Sequence, residues 1–321
     1  MIHGASIQAL PRTISWSQLE PWQRDNPAIL TGYRRLTHSW FQTAGTVFWW
    51  HNESVNIWTH LSGAVAITIA LFALGDFSAS PALSYGARFC ERLDAPFTKT
   101  LCYPFQVKSQ ASSSPAPADA ILLRTFLIGA LVCFICSSVF HSSLCHSRKV
   151  AVFMNRVDYF GILALGTVNF FPTFHYAFFC YPHLRDIYIA LMTVSGSVGI
   201  YMACSPTYAT PAYRRTRTYT FFACGGVAIF PFVHAISKSG WTEASSSMSF
   251  TWLGIEILFY VGGALLYSER FPETLAPGKF DHLGASHQIF HVCSMFAVLS
   301  HWVAIGQGFQ YRHGDQGGVC L

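Results

Sequence analysis

Charged residues are scarce in this sequence, and their scarcity excludes several classes of protein. Asp, Glu, Lys and Arg make up only 11% of the 321 residues, whereas hydrophobic residues make up 52%. A soluble globule of this length needs more polar surface than that. The basic residues form no long cluster and the net charge of +5 is small, so no nucleic-acid partner is predicted. The first hypothesis is an integral membrane protein.

The sequence also lacks an apparent cleavable signal peptide. Its first long apolar run begins only near Val55, after a polar lead that contains Trp and Pro. We therefore expect the first helix to act as its own insertion signal.

Cysteine is not scarce, but most of the ten cysteines lie inside apolar runs. There we predict small packing residues, namely Cys133, Cys136, Cys180, Cys204, Cys224 and Cys293. The C-x-x-C formed by Cys133 and Cys136 has no second pair, which disfavours a metal or redox role. Cys90 and Cys102 lie in the longest loop, where a disulfide between them is an open alternative.

The apolar residues fall into blocks of about 20, the length that crosses ~30 Å of hydrocarbon at 1.5 Å per residue. Seven helices are predicted, over residues 55–75, 120–145, 158–180, 184–204, 218–236, 250–268 and 287–309. The predicted fold class is an all-α, seven-transmembrane helix bundle over 54–310, with an N-terminal segment at 1–53 and a C-terminal tail at 311–321. An interfacial fifth or seventh run is the alternative, and it would change the parity used below.

Lys and Arg in the loops predict the orientation, because they are retained on the cytoplasmic side of a membrane. With the N-terminus inside, the inner segments hold twelve of these residues and the outer segments seven, four of them in the long loop 76–119. The N-terminus is therefore predicted to be cytoplasmic and the C-terminus extracellular or lumenal. The loop 76–119 is rich in Ser and Pro and is predicted to be partly disordered.

Three polar motifs lie at the ends of predicted helices, where ionisable residues in lipid tend to mark functional sites. The second helix ends in SSVFH at 137–141, the third begins at Asp158, and the seventh begins with HQIFH at 287–291. Parity places all three ends on the same, cytoplasmic face. Residues that are distant in sequence can therefore converge at one depth.

The spacing within these motifs suits a metal site. His287 and His291 are four residues apart, so they share one face of a helix and can both bind one metal ion. His141 can supply a third nitrogen, which leaves the fourth tetrahedral position open, as in catalytic zinc sites. Asp158 is placed to accept a hydrogen bond from a water in that position or to act as general base, and Ser137 to orient the water, a ligand or Asp158. The alternative is a set of interfacial residues that cap helices and bond one another.

The remaining histidines have no partner at ligand spacing, and most are interpreted as interfacial or packed polar residues: His51, His60, His146, His175, His183, His234, His282, His301 and His313. Glu256 lies inside the sixth apolar run. A lone carboxylate in lipid is expected to face the bundle interior, in a structural hydrogen bond rather than in catalysis.

These motifs resemble those of the progestin and adipoQ receptor family, which includes adiponectin receptors, fungal zinc-homeostasis and osmotin-receptor homologues and hemolysin III-related proteins. The resemblance covers most of the chain. It is carried by WQRDN at 22–26, GYR at 32–34, HNESVNIWTHL at 51–61, SSVFH at 137–141, DYFGI at 158–162, ERFP at 269–272, GKFD at 278–281 and SHQIFHV at 286–292. The long Ser/Pro loop departs from the family pattern, in which this connection tends to be shorter.

The resemblance implies seven helices, a cytoplasmic N-terminus, and Zn²⁺ bound by His141, His287 and His291, with Asp158 and Ser137 beside it. In the adiponectin receptors this site is associated with hydrolysis of the ceramide amide. The expected partners are therefore a membrane lipid, either ceramide or a related lipid amide, its free fatty acid product, and an extracellular protein ligand. The expected location is the plasma membrane or an endomembrane such as the endoplasmic reticulum.

Three functions follow as hypotheses. The leading one is a zinc-dependent membrane hydrolase of lipid amides, linked to lipid and zinc homeostasis signalling. Its rival is a non-catalytic receptor in which a structural zinc ion ties the second, third and seventh helices together. A pore or transporter is weaker, because intramembrane charges are few.

Overall fold

The structure is a computed structural model, and it describes residues 12–73, 117–205, 208, 210–315 and 320. Cys90, Cys102 and most of the predicted long loop lie outside the described residues.

Most of the described chain is α-helical. The helices are α1 Trp40–Thr46, α2 Ser54–Ala73, α3 Pro117–Ser143, α4 Arg148–Val168, α5 Phe170–Ala177, α6 Pro182–Ala203, α7 Arg214–Gly226, α8 Ile229–Met248, α9 Phe250–Glu269 and α10 Ser286–Gln310. Short 3-10 turns cover Trp16–Gln18, Pro21–Gln23 and Pro211–Tyr213, and a π turn covers Tyr311–Asp315. The departure from an all-α class is a small antiparallel ribbon of β1 Thr13–Ile14 and β2 Tyr33–Arg34.

Six segments of the described chain are long and apolar enough to cross a membrane: Ser54–Phe72, Pro117–Ser143, Pro182–Ala203, Arg214–Met248, Phe250–Glu269 and Ser286–Gly314. They coincide with six of the seven predicted spans. Large apolar side chains on these helices, such as Ile69, Val194 and Leu258, are exposed on the surface of the bundle. That is the surface expected of helices that face lipid rather than water.

The third predicted span, 158–180, is present as two consecutive helices, α4 and α5, that meet at Asn169. α4 begins earlier than predicted, at Arg148, and carries Lys149 and Arg156 in addition to Asp158. These charges keep α4 out of the set of clearly apolar helices. The structure thus supports six spans, and the seventh stays a prediction.

The predicted bounds of the fifth helix are wrong. Residues 218–236 fall in two helices, α7 and α8, and α8 continues to Met248 through a stretch predicted to be a loop. The backbone of Gly240 has a φ of 79°, a conformation that glycine adopts without steric cost. α8 therefore kinks at Gly240 and continues to Met248 instead of ending there.

The prediction for Cys180 is also wrong. This cysteine forms a disulfide with Cys320, which ties the end of α5 to the C-terminal tail. Cys320 lies outside the apolar runs, so helix patterning gave no reason to pair it with a residue far away in sequence. The other five cysteines predicted to be packing residues are free thiols.

The N-terminal segment docks against the connection between α9 and α10. The Leu30 backbone N–H donates to Asp281 Oδ1 at 2.8 Å, and Thr31 Oγ1 donates to Asp281 Oδ2 at 2.6 Å. Asn26 Nδ2 donates to Glu273 Oε1 at 3.0 Å. Both carboxylates are buried. Because buried carboxylates need such donors, these bonds fix the segment next to the start of α10.

Candidate metal centre

Three imidazoles converge where α3 ends and α10 begins. His141, His287 and His291 each offer a ring nitrogen, and these nitrogens all lie within 4.8 Å of one another. The ring centroid of His141 lies 4.9 Å from that of His287 and 4.7 Å from that of His291. His141 and His291 are buried, and His287 is partly buried. The structure thus brings together the three residues that parity placed on one face.

The outer nitrogen of His141 already has a partner. Nδ1 lies 2.7 Å from Glu53 Oε2, so the ring N–H donates to this carboxylate. The opposite nitrogen, Nε2, is buried with no hydrogen-bond partner, and so is Nδ1 of His291. A buried nitrogen without a partner is costly unless something binds it. The arrangement fits a metal ion, because a ligating histidine commonly donates its other N–H to a carboxylate.

Glu53 is itself held in place from the first turn of α2. Asn56 Nδ2 donates to Glu53 Oε2 at 2.7 Å. Burial alone would raise the pKa of the Glu53 carboxyl. Its electrostatic attraction to His141 and their hydrogen bond lower this pKa by more than burial raises it, so the pKa lies well below its usual range. Glu53 is therefore an ionised acceptor for the His141 ring.

α2 also supports His291. The His60 ring stacks on the His291 ring with centroids 3.9 Å apart, and His60 Nε2 lies 2.9 Å from Ser294 Oγ. Glu53, Asn56 and His60 are spaced three and four residues apart, so they share one face of the helix start. That face contacts two of the three converging histidines.

Helix ends are fixed on both sides of the site. Arg34 donates to the backbone carbonyl of His141 at 2.5 Å and to that of Ser142 at 2.9 Å. These carbonyls belong to the last turn of α3, where they lack partners within the helix. At the start of α10, the Ser286 N–H and Oγ donate to Glu273 at 2.8 and 2.5 Å. A carboxylate there also suits the positive end of the helix dipole.

Asp158 and Ser137 lie next to each other, as the sequence predicts. The Ser137 side chain forms a hydrogen bond with the Asp158 carboxyl. Asp158 Oδ1 is buried without a hydrogen-bond partner. α3 and α4 can come this close because Gly161, one turn beyond Asp158, has no side chain. A Cβ added there would lie only 3.0 Å from the Cys133 backbone.

The site opens into a large cavity between the helices. The cavity has a volume of about 1130 Å³, and Ser137, Asp158 and the three histidines line it. Most of its remaining wall inside the bundle is apolar, including Phe134, Ile162, Leu163, Phe232, Ile257 and Val261. Such a space suits a long apolar ligand with one polar end at the histidines.

Glu53, which was not among the predicted site residues, also belongs to this site. Parity already placed the start of the first helix on the same face as the ends of the second, third and seventh helices, so that signal was present. The expectation for Glu256 is confirmed, since this residue is buried and hydrogen-bonded inside the bundle.

Comparison with known proteins places the chain among membrane proteins. The family model described as Haemolysin-III related matches residues 48–302, a stretch that contains all the converging side chains. The chain belongs to the haemolysin-III related family. This family relationship and the six apolar helices make it a multi-pass integral membrane protein of adiponectin receptor-like type.

Individual relatives in this family cover nearly the whole chain. Heptahelical transmembrane protein 3 of Arabidopsis thaliana is 34% identical over 94% of this chain and 88% of its own length. The ADIPOR-like receptor IZH2 of Saccharomyces cerevisiae is 32% identical over 95% of this chain and 87% of its own length. The adiponectin receptor protein of Drosophila melanogaster is 31% identical over 92% of this chain and 60% of its own length.

Proposed function

We propose that this protein is a zinc-dependent hydrolase of lipid amides such as ceramide. One observation carries the proposal: three imidazoles and a buried carboxyl meet at the wall of a large, mostly apolar cavity. Three histidines with an open fourth position are the ligand set of a catalytic zinc site. The cavity supplies the apolar surroundings that the chains of a lipid need.

The residues of the site have separate roles in metal binding and in proton transfer. His141, His287 and His291 would hold the ion, and Glu53 keeps the His141 ring in the tautomer whose Nε2 is free. A zinc ion bound there would polarise the amide carbonyl and lower the pKa of a nearby water molecule. Asp158 accepts the proton of the attacking water and returns it to the leaving amine, while Ser137 orients the carboxyl. The products are a sphingoid-type amine and a free fatty acid.

The site would face the cytosol. It lies at the end of α3 and the start of α10, whereas the Cys180–Cys320 disulfide joins elements at the opposite end of the bundle. Disulfides persist on the extracellular or lumenal side of a membrane. The disulfide and the loop charges therefore support the same seven-span arrangement, in which the N-terminus lies in the cytosol. The protein would lie in the plasma membrane or in the membrane of the endoplasmic reticulum.

The test is hydrolysis of ceramide by the purified protein in detergent. We expect fatty acid release by the wild type, loss of release with His291→Ala, and a fall of at least about a hundredfold with Asp158→Asn, which keeps the size of the side chain but cannot accept the proton. His183→Ala, which changes an exposed histidine remote from the site, is the control. Turnover that His291→Ala leaves unchanged would refute the proposal.

A receptor with a structural zinc ion is the second candidate. The ligands come from α3 and α10, and their support comes from α2, so a bound ion would tie three helices together without any reaction. Several relatives bear the name of receptors, and one is named an adiponectin receptor. A protein that keeps zinc and transmits the signal of an extracellular protein ligand, yet releases no fatty acid, would favour this candidate.

A further inference from the structure

The residues before α1 form a loop that closes on itself. Because β1 pairs with β2, both ends of residues 15–32, the N-terminal loop, are held together at one base. Within the loop, Arg24 Nε donates to the Leu19 carbonyl at 3.1 Å, and Arg24 Nη2 donates to the Ser17 carbonyl at 3.2 Å. The N-terminal loop is therefore a compact unit with its own internal bonds, like other surface loops that pack on themselves.

The tip of the N-terminal loop forms part of the cavity wall. Residues 21–26 line the cavity, together with Arg214 at the start of α7 and Tyr267 near the end of α9. The Tyr267 ring centroid lies 4.9 Å from that of His287, so the tip lies at the same end of the bundle as the three histidines. Three residues of the tip are also exposed to solvent. The tip thus has the cavity on one side and water on the other.

A single residue connects this tip to two helices. Asp25 Oδ2 accepts a hydrogen bond from Arg214, which also donates to the Tyr267 carbonyl at 3.2 Å. Asp25 Oδ1 lies 3.6 Å from Arg270 Nη2, just after the end of α9, and this nitrogen donates to the Asp25 carbonyl at 2.6 Å. Asp25 therefore holds the loop against α7 and α9 at the mouth of the cavity.

The attachments of the loop differ in strength. The Asp25 side chain is 47% exposed, and ion pairs that water reaches contribute little free energy and weaken with salt. When the pair opens, Arg214 keeps the Tyr267 carbonyl and the Tyr267 ring as partners. The later part of the loop is held by the buried carboxylates of Glu273 and Asp281, whose bonds cost more to break. The contacts of Asp25 are therefore the first to open.

We propose that the N-terminal loop is a lid on the histidine end of the cavity, closed by Asp25 and opened by movement of the tip about its fixed base. The closed lid separates the cavity from water at this end, and the open lid admits water and small soluble molecules. Lid loops of this kind open and close within microseconds to milliseconds. The proposal concerns access to the cavity, and it goes beyond the proposed function.

Thiol reactivity in lipid nanodiscs tests the lid, because lipid seals the sides of the bundle while both ends face water. The reporter is Ala264→Cys, which places a thiol on the cavity wall one turn before Tyr267. Cys204, a half-buried native thiol between α6 and α7 that lies outside the cavity wall among the described residues, is the internal reference. The reagent is a water-soluble methanethiosulfonate with a trimethylammonium group, and mass spectrometry of peptides measures both rates.

We expect Asp25→Asn to raise the rate at the reporter thiol roughly three- to tenfold relative to Cys204, because the rate follows the population of the open lid. With Asp25 present, raising NaCl from about 20 to about 500 mM should also raise this ratio, since salt screens the ion pairs. The same change should have little effect in Asp25→Asn. Loss of a negative charge by itself disfavours a cationic reagent, so a rise in rate reports opening of the lid.

Asp186→Asn is the matched control. It removes an exposed carboxylate that pairs with Arg185 at the start of α6, at the opposite end of the bundle, and should leave the ratio unchanged. A rate at the reporter thiol that Asp25→Asn leaves unchanged or lowers, or that Asp186→Asn raises equally, would overturn the proposal. Neither zinc nor lipid hydrolysis enters the measurement, so a failure of the proposed function leaves this result unaffected.

Discussion

The orientation of His141 depends on a single neighbouring side chain. Its ring bonds to Glu53 through Nδ1, and its Nε2 is the nitrogen left to face the other two histidines. Neutral imidazole has one N–H, so an acceptor at Nδ1 decides which nitrogen is free to bind a metal. Glu53 also adds a negative charge close to the three histidines. At the scale of residues, the site depends on this carboxylate as well as on its three imidazoles.

Replacing Glu53 tests that dependence. We expect Glu53→Gln to weaken zinc binding roughly ten- to a hundredfold, because an amide is a poorer acceptor and carries no charge. Zinc affinity can be measured by competition with a chromophoric chelator. Glu20→Gln, which changes an exposed glutamate of the same N-terminal segment, is the matched control. Equal zinc affinity of Glu53→Gln and the wild type would contradict this role.

At the scale of elements, the site is held by the ends of helices that the N-terminal segment fastens. Arg34 bonds to Thr46 and to two carbonyls at the end of α3, so β2 and α1 are fixed to the helix that carries His141. A guanidinium can serve several acceptors at once through its planar set of donors, which an ammonium group cannot match. Arg34 thereby connects a segment outside the membrane to the position of His141.

Arg34→Lys is expected to lower the free energy of unfolding by about 2 kcal/mol, since charge-assisted hydrogen bonds in a buried position are lost. The measurement is thermal unfolding of the purified protein in detergent. Arg215→Lys changes an exposed ion pair with Glu269 and should have an effect below about 0.5 kcal/mol. If both variants unfolded alike, Arg34 would have no special role in stability.

The sequence predicts these elements unevenly, for physical reasons. Apolar blocks and i, i+4 spacing mark the spans and the pair His287 and His291, because both depend on residues close in sequence. The break at Asn169 also has a local cause, because Pro172 has no N–H to donate to the Val168 carbonyl four residues back and its ring crowds that carbonyl. The disulfide of Cys180, by contrast, depends on a partner distant in sequence. Contacts of this type follow from tertiary packing, which a periodic pattern does not encode.

At the scale of the whole molecule, parity connects the number of spans to the position of the site. The end of α3 and the start of α10 share a face because an even number of further crossings separates them when α4 and α5 together span the membrane. Six apolar segments are clear within the part of the chain that the structure describes, and the more polar pair α4 and α5 decides whether the count is seven.

Locating both termini resolves the count. In intact cells we expect protease added outside to spare a tag at the N-terminus and to cleave a tag at the C-terminus, because an odd number of crossings separates them. In sealed microsomes, whose outer face is the cytosolic one, we expect the reverse. Permeabilised membranes, in which both tags are cleaved, are the control. Two tags on the same side would indicate an even number of spans.

We propose that His141, His287 and His291 share one zinc ion, and metal analysis of the purified protein tests this directly. We expect about one zinc per chain in the wild type and in His183→Ala, and loss of zinc in His141→Ala and His291→Ala while the helical content measured by circular dichroism is retained. Zinc that remains at full occupancy in both of those variants, or a folded wild type that binds none, would contradict it.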